Sequence, residues 1–218
     1  MNDTLNQEPT RSVLDRLFEE ARTSDARVRA RLAEITPAER ERLLERADYR
    51  ELYGALREEY LAVSRDTGAL LYALARAARA RHVVEFGTSF GVSTIYLAAA
   101  VKDAGSGSVI ATELEPAKAA RARENLRAAG LAELVELREG DALETLARDL
   151  PDAIDLVLFD GAKPLYARVL DLVEPRLRSG AILVADNAAR SPAYLERVRA
   201  AGYVSCAAGD DVELSVRC

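Results

Sequence analysis

Residues 81–93, RHVVEFGTSFGVS, decide the fold. His82 to Phe86 is a short run rich in β-branched and aromatic residues, the composition of a buried strand. Gly87 and Gly91 then bracket a turn, and VSTIYLAAAVKDA (92–104) continues as an apolar stretch of helical length without Gly or Pro. Strand, glycine turn and helix in this order form the opening of a β-α unit.

Outward from this unit the alternation repeats. GALLYALARAARA (68–80) predicts a helix before the strand, and SVIATELE (108–115) a strand after the second helix. AKAARARENLRAAG (117–130) is expected to be a helix with Gly130 as a left-handed cap. LVELREGD (134–141), IDLVLFD (154–160) and AILVADN (181–187) predict strands, the last two apolar enough to be covered on both faces. ALETLARDL (142–150), PLYARVLDLVEPRL (164–177) and PAYLERVRAAG (192–202) predict helices. YVSCAAG (203–209) and DVELSVRC (211–218) are joined too tightly for a parallel crossover, so a hairpin turning near Asp210 is expected. The sum is an α/β fold: a doubly wound, mainly parallel seven-stranded sheet ending in an antiparallel hairpin.

Composition removes several function classes. The chain has 218 residues and a formal charge of −6, which argues against a general nucleic-acid binder. No apolar run approaches the ~18 residues of a membrane span. The start, MNDTLNQEPT, has neither a basic nor an apolar leader region. A cytoplasmic protein with no membrane partner is expected. His82 is the only histidine, which excludes multi-histidine zinc chemistry, and it reads as a strand-edge residue. In the proposed hairpin Cys206 faces Leu214, with Cys218 on the order of 13 Å further along at strand rise. That is beyond disulfide reach, so both thiols are expected to be free.

Residues 1–60 form a separate segment, expected to be a helical arm that covers the body, acts as a lid or makes a dimer contact. Its 11 Arg against 14 acidic residues describe a mixed surface. Val13, Leu14, Leu17 and Phe18, then Leu52, Tyr53 and Leu56, fall at helical spacings, and Thr36-Pro37-Ala38-Glu39 reads as a capping box. Residues 61–218 form the second unit.

Ligands of open α/β sheets bind beyond the carboxyl ends of the strands. Here all five predicted parallel strands end in acids: Glu85, Glu113, Asp141, Asp160 and Asp186. The first turn is E-x-G-x-x-x-G, not the G-x-G-x-x-G of dinucleotide sites. Such a turn admits a ligand closely, but Glu85 would repel a phosphate. A ligand with a cationic amino group and a ribose fits better, and Glu113 can accept from both ribose hydroxyls. This chemistry suits S-adenosylmethionine more than NAD or ATP.

The ordered set VVEFGTSFGVS, ATELEP, REGDA, LFDGAK and LVADN resembles the cation-dependent group of class I S-adenosylmethionine-dependent O-methyltransferases, the catechol and caffeoyl-CoA type. The resemblance covers roughly residues 61–218. It implies that Val63, Glu85, Gly87, Ser89 and Ser93 meet the amino-acid end of the cofactor. It places Glu113 at the ribose, Gly140, Asp141 and Ala142 around the adenine, and Asp160 on the cofactor's border. Asp160, Asp186 and Asn187 match the metal ligands, and Lys163 matches the catalytic lysine. Two carboxylates and an amide oxygen suit a hard cation, Mg²⁺ first, with Mn²⁺ or Ca²⁺ as alternatives. A catechol or other vicinal diol could complete such a site, and Lys163 could take its proton. Only three of the 30 basic residues are Lys, and one stands where a deprotonatable group is needed. The resemblance also implies a small phenolic acceptor and a homodimer.

Three features depart from the family. The chain has no Trp, and Ala162 stands where many relatives carry an aromatic residue, so a wider acceptor pocket is expected. Ala142 replaces a hydroxyl near the adenine, and the connection from Asn187 to Tyr203 is short. Glu213 lies near a substrate-contacting acid of some relatives but reads equally as an exposed strand residue. Three rival functions remain open: a metal-independent methyltransferase acting on an amine or other natural-product acceptor, an NAD(P)-linked oxidoreductase, and a non-catalytic scaffold.

Overall fold

The computed structural model describes residues 3–33, 59–209 and 211–218. The Thr36–Glu39 capping box, the stripe at Leu52, Tyr53 and Leu56, and the hairpin centre at Asp210 lie outside the described residues. Seven strands form one sheet in the order β3-β2-β1-β4-β5-β7-β6. They are β1 (His82–Phe86), β2 (Ser108–Glu113), β3 (Val135–Glu139), β4 (Ile154–Phe159), β5 (Leu177–Asp186), β6 (Tyr203–Ala207) and β7 (Val212–Arg217). The first five run parallel, and β7 enters antiparallel between β5 and β6. This is the doubly wound sheet with a terminal hairpin that the sequence predicts.

Seven helices accompany the described strands: α1 (Thr10–Ala33), α2 (Arg65–Ala77), α3 (Val92–Ala104), α4 (Pro116–Ala128), α5 (Ala142–Thr145), α6 (Tyr166–Val173) and α7 (Pro192–Val198). Helix α3 is buried without interruption from Val92 to Val101, a mostly apolar stretch whose two hydroxyls, Ser93 and Thr94, bond to Glu85. It meets α2 so closely that a Cβ at Gly68 would lie 2.4 Å from the Tyr96 ring. Among the described residues no helix is long and apolar enough to cross a membrane.

Helix α1 lays Val13, Leu14 and Leu17 against α3 and α4. Thr10 Oγ1 donates to the Ala129 carbonyl at 3.1 Å, and Thr4 donates from both its amide and its hydroxyl to Asp103. The described start of the arm therefore packs on the body.

Several element boundaries differ from the sequence expectation, and three of them have a visible physical reason. The helix after β3 stops at Thr145 instead of Leu150, because Arg138 donates to the carbonyls of Thr145, Arg148 and Asp149 and ends the helix there. The helix expected over 164–177 stops at Val173, followed by a single 3-10 turn at Glu174–Arg176 that holds Pro175, a residue without an N–H to give. Strand β5 then begins at Leu177, paired with Ile154 across an irregularity, four residues earlier than expected. The hairpin pairs Cys206 with Leu214, and both cysteines are free and exposed.

Leu17 has no exposed surface. Leu17→Ala is expected to cost about 2–5 kcal/mol of folding stability. Val204→Ser, at a position 68% exposed, should change it by no more than about 0.5 kcal/mol. Urea unfolding of the two variants measures the difference.

Candidate functional site

Strand order reverses between β1 and β4, whose neighbours lead away in opposite directions. At such a reversal the connections diverge and leave a crevice beyond the strand ends. The Asp160 amide donates to the Phe86 carbonyl at 2.8 Å, which joins the two strand ends. Gly87 has φ +98°, and a Cβ there would sit 2.6 Å from the Asp160 carbonyl oxygen. Only glycine satisfies both constraints.

The resulting cleft is an open space of about 560 Å³, mouth included. Its walls come from successive strand ends: Gly87 and Ser89 after β1, Glu113 on β2, Gly140, Asp141 and Ala142 after β3, and Asp160 after β4. These seven were expected from the sequence. Thr112, Leu114, Lys118, Ala162, Leu165 and Leu61, the first residue after the arm, also face the space. Val63, Glu85 and Ser93 are not part of the wall. Val63 joins the apolar core, and the other two lie within the turn's own hydrogen-bond network.

That network explains the turn. Glu85 is wholly buried and accepts from Thr88 at 3.1 Å and from Ser93 and Thr94 at 2.5 Å each. Burial pushes its carboxyl up to about 7, against the three hydroxyls that favour the charged form. Glu113 holds the turn from the other side. Its Oε2 accepts the Ser89 amide at 2.7 Å and its Oε1 the Glu115 amide at 2.9 Å. Burial raises the Glu113 pKa, while these amides and the Lys118 ammonium pull it down. Ser89 Oγ is buried on the cleft wall with no partner among the described residues, the state of a group that a ligand would satisfy. A cleft lined by carboxylates, with an unpaired hydroxyl at its glycine turn, fits a cationic nucleoside such as S-adenosylmethionine.

At the β4 and β5 ends the expected metal set comes partly together. Phe159 pairs with Ala185, so Asp160 and Asp186 follow side by side. Lys163 Nζ is 2.9 Å from Asp160 Oδ1. Burial raises Asp160 to about 7, with Lys163 pulling down and Asp186 pushing up. Burial likewise raises Asp186, with Asp211 adding to the rise and Lys163 opposing it. The Tyr166 hydroxyl bridges the Phe159 and Asp186 carbonyls at 2.8 and 2.9 Å and ties the strand ends together. Asn187 follows directly in a left-handed conformation, φ 49°. Among the described residues there is no cluster of three or more His, Cys, Asp or Glu. The donor set is two carboxylates plus the Asn187 amide beside them. Two partly buried carboxylates side by side fit a cation that would relieve the repulsion Asp186 exerts on Asp160.

Glu213 corrects both sequence readings. It is only 3% exposed, and Arg199 holds it through two bonds of 2.8 and 2.7 Å, so it is neither an exposed strand residue nor part of the cleft. His82 is at the strand edge as expected, its Nδ1 2.9 Å from the Ala153 carbonyl. Lys118 was missed. It is 2% exposed and faces the cleft, and burial lowers its pKa against the pull of Glu113, Glu115 and Glu59. The scarcity of lysine that singled out Lys163 applies equally to it.

A family model described as a methyltransferase domain matches residues 84–188. The catechol O-methyltransferase of Mycobacterium tuberculosis is 40% identical over 136 residues, covering 62% of this chain and 60% of that protein. The chain spans about 60% of the length of the curated relatives it matches. The solved structure of cofactor-bound Rv0187 from MTB superposes with a TM-score of 0.65 at 31% identity, covering 72% of this chain and 81% of that one. The O-methyltransferase TomG from Streptomyces achromogenes, solved with SAM, gives a TM-score of 0.64 at 28% identity, covering 80% and 88%.

Glu85 supplies a pH test of the turn. Its folded-state pKa of about 7 lies above the ordinary 4.5, so the folded chain holds a proton that the unfolded chain has lost. Its contribution to stability is complete below pH 4.5 and disappears as pH rises through about 7. Glu85→Gln has no such titration. From about pH 5 to about pH 8 the unfolding midpoint should shift progressively in the variant's favour relative to wild type.

Proposed function

We propose that this chain, similar to a methyltransferase-domain model and to a catechol O-methyltransferase, is an S-adenosylmethionine-dependent O-methyltransferase that transfers the sulfonium methyl group to a hydroxyl of a small catechol-like acceptor. Asp160, Asp186 and Asn187 hold a divalent cation in this reading, and Lys163 takes the acceptor's proton. One observation carries it: Asp160 lines the cleft, bonds to the Lys163 ammonium and stands beside Asp186 at the paired strand ends. Cofactor, cation and base therefore share a single side chain as their meeting point.

The turn at Gly87–Gly91 receives the cofactor, with Ser89 Oγ as a bonding group and Glu113 accepting from the ribose diol. The acidic interior favours a ligand that carries both an ammonium and a sulfonium, by simple charge complementarity. A cation held by Asp160, Asp186 and Asn187 would acidify and orient an acceptor hydroxyl as Lewis acid and template. Lys163 Nζ sits against Asp160, within reach of a hydroxyl at that position. Lys163 Nζ would take the hydroxyl proton as general base. The acceptor oxygen then attacks the methyl carbon in line with the departing sulfur, and positioning supplies much of the acceleration. Ala162, 6% exposed on the cleft wall, leaves room for acceptors broader than a bare catechol.

Methyl transfer from S-adenosylmethionine to a catechol tests the assignment. Lys163→Met is expected to lower kcat by about a hundredfold or more while leaving affinity for S-adenosylhomocysteine within about twofold. EDTA and Asp186→Ala should each abolish transfer, with Mg²⁺ restoring the EDTA-treated enzyme. Full turnover after both treatments would instead indicate metal-independent transfer.

A further inference from the structure

Helix α1 makes no contact with the proposed chemistry, yet it converges on the cofactor turn by two routes. In the first, the Tyr60 ring stacks on Phe90 with centroids 4.2 Å apart and planes 28° from parallel. Tyr60 is itself fixed to α1: its hydroxyl donates to Glu20, and its amide donates to Ser24 Oγ at 2.9 Å. Ser24, with no exposed surface, donates in turn to Glu59 at 2.6 Å. In the second route, Asn125 Nδ2 donates to the Phe90 carbonyl at 2.9 Å, and Arg16 of α1 donates to Asn125 Oδ1 at 2.7 Å. Arg16 also pairs with Glu20 at 2.8 Å, which closes the circuit. Phe90 is thus held at its ring and its carbonyl by groups tied to one stretch of a single helix.

The turn needs such support. Ser89, at φ 49°, and Gly91, at φ 92°, both adopt left-handed conformations on either side of Phe90. A non-glycine residue in that region persists only where its surroundings over-determine it. Ser89 also carries the unpaired hydroxyl on the cleft wall, and Leu61, the residue after Tyr60, lines the same cleft. A shift of the stack therefore moves cleft groups on both sides.

We propose that Tyr60 is a positioning residue for cofactor binding, through which α1 holds the 87–91 turn in the shape that admits S-adenosylmethionine. This rests on the reading of the cleft as the S-adenosylmethionine site. It makes the start of the arm a working part of that site, in addition to its packing on the body. The stack itself, and not the Tyr60 hydroxyl alone, carries the effect, so Tyr60→Phe should retain most of it.

The test is calorimetric titration of the full chain with S-adenosylhomocysteine, together with KM for S-adenosylmethionine and kcat. Tyr60→Ala is expected to weaken binding and raise KM about five- to tenfold, the value of a lost aromatic pair. Its kcat should fall far less, and Tyr60→Phe should remain within about threefold of wild type. Glu20→Gln, a milder change on the half-buried face of α1, should weaken binding in the same direction and covers the case in which Tyr60→Ala does not fold. Undiminished affinity in folded Tyr60→Ala, or in Glu20→Gln where Tyr60→Ala does not fold, would overturn the positioning role alone. So would equal losses for Tyr60→Phe and Tyr60→Ala. Failure of the wild-type chain to bind S-adenosylhomocysteine would overturn the reading of the cleft.

Discussion

The site depends on one close approach, that of the β1 and β4 ends. The Asp160 amide bonds to the Phe86 carbonyl, and the backbone after Phe86 runs so near Asp160 that no side chain fits at Gly87. This contact sets the floor of the cleft. It also fixes Asp160 at the reversal of strand order, where the parallel register delivers Asp186 beside it. Were position 87 to carry a Cβ, the strand ends would have to part. Cofactor turn and carboxylate pair would be disturbed together.

That convergence concentrates buried acid at one end of the sheet. Burial raises the pKa of Glu85, Glu113, Asp160 and Asp186 alike. The compensations differ: three hydroxyls for Glu85, two backbone amides for Glu113, and Lys163 for both Asp160 and Asp186. Two of the chain's three lysines, Lys118 and Lys163, stand among these carboxylates. Such a site is unfavourable to phosphates and favourable to cations, which agrees with a sulfonium cofactor. The cost in charge burial falls at the place where ligands can relieve it.

Much of this was legible in the chain because strand ends announce themselves. Apolar runs such as IDLVLF stop abruptly at an acid, and topology then dictates that the acids meet. What could not be read depends on third parties. The early end of α5 is set by Arg138, which lies on another element, and the early start of β5 by pairing with Ile154. Glu213 alternates correctly for an exposed position, but Arg199, the residue that caps α7, covers it. The division of labour between Glu85 and Ser89 was equally hidden. Both belong to one motif, yet one carboxylate is consumed by the turn's own hydroxyls while the neighbouring hydroxyl is left unpaired. Motif spacing brings residues together and does not say which of them face the ligand.

The acceptor side follows from the same backbone. Gly161 cannot carry a side chain, since its Cβ would lie 2.5 Å from the Phe86 ring. Ala162 is therefore the first residue after Asp160 that can present a side chain to the cleft, and it presents a single methyl. Leu165, one turn later, supplies the next apolar surface. Phe86, which might otherwise act as a movable wall, is packed edge-on against Tyr166, whose hydroxyl is held by two carbonyls. On the proposed reading, acceptor width is thus governed by position 162 alone, flanked by walls that the fold has already fixed. The metal and base residues need not change for the chain to accept a broader ring.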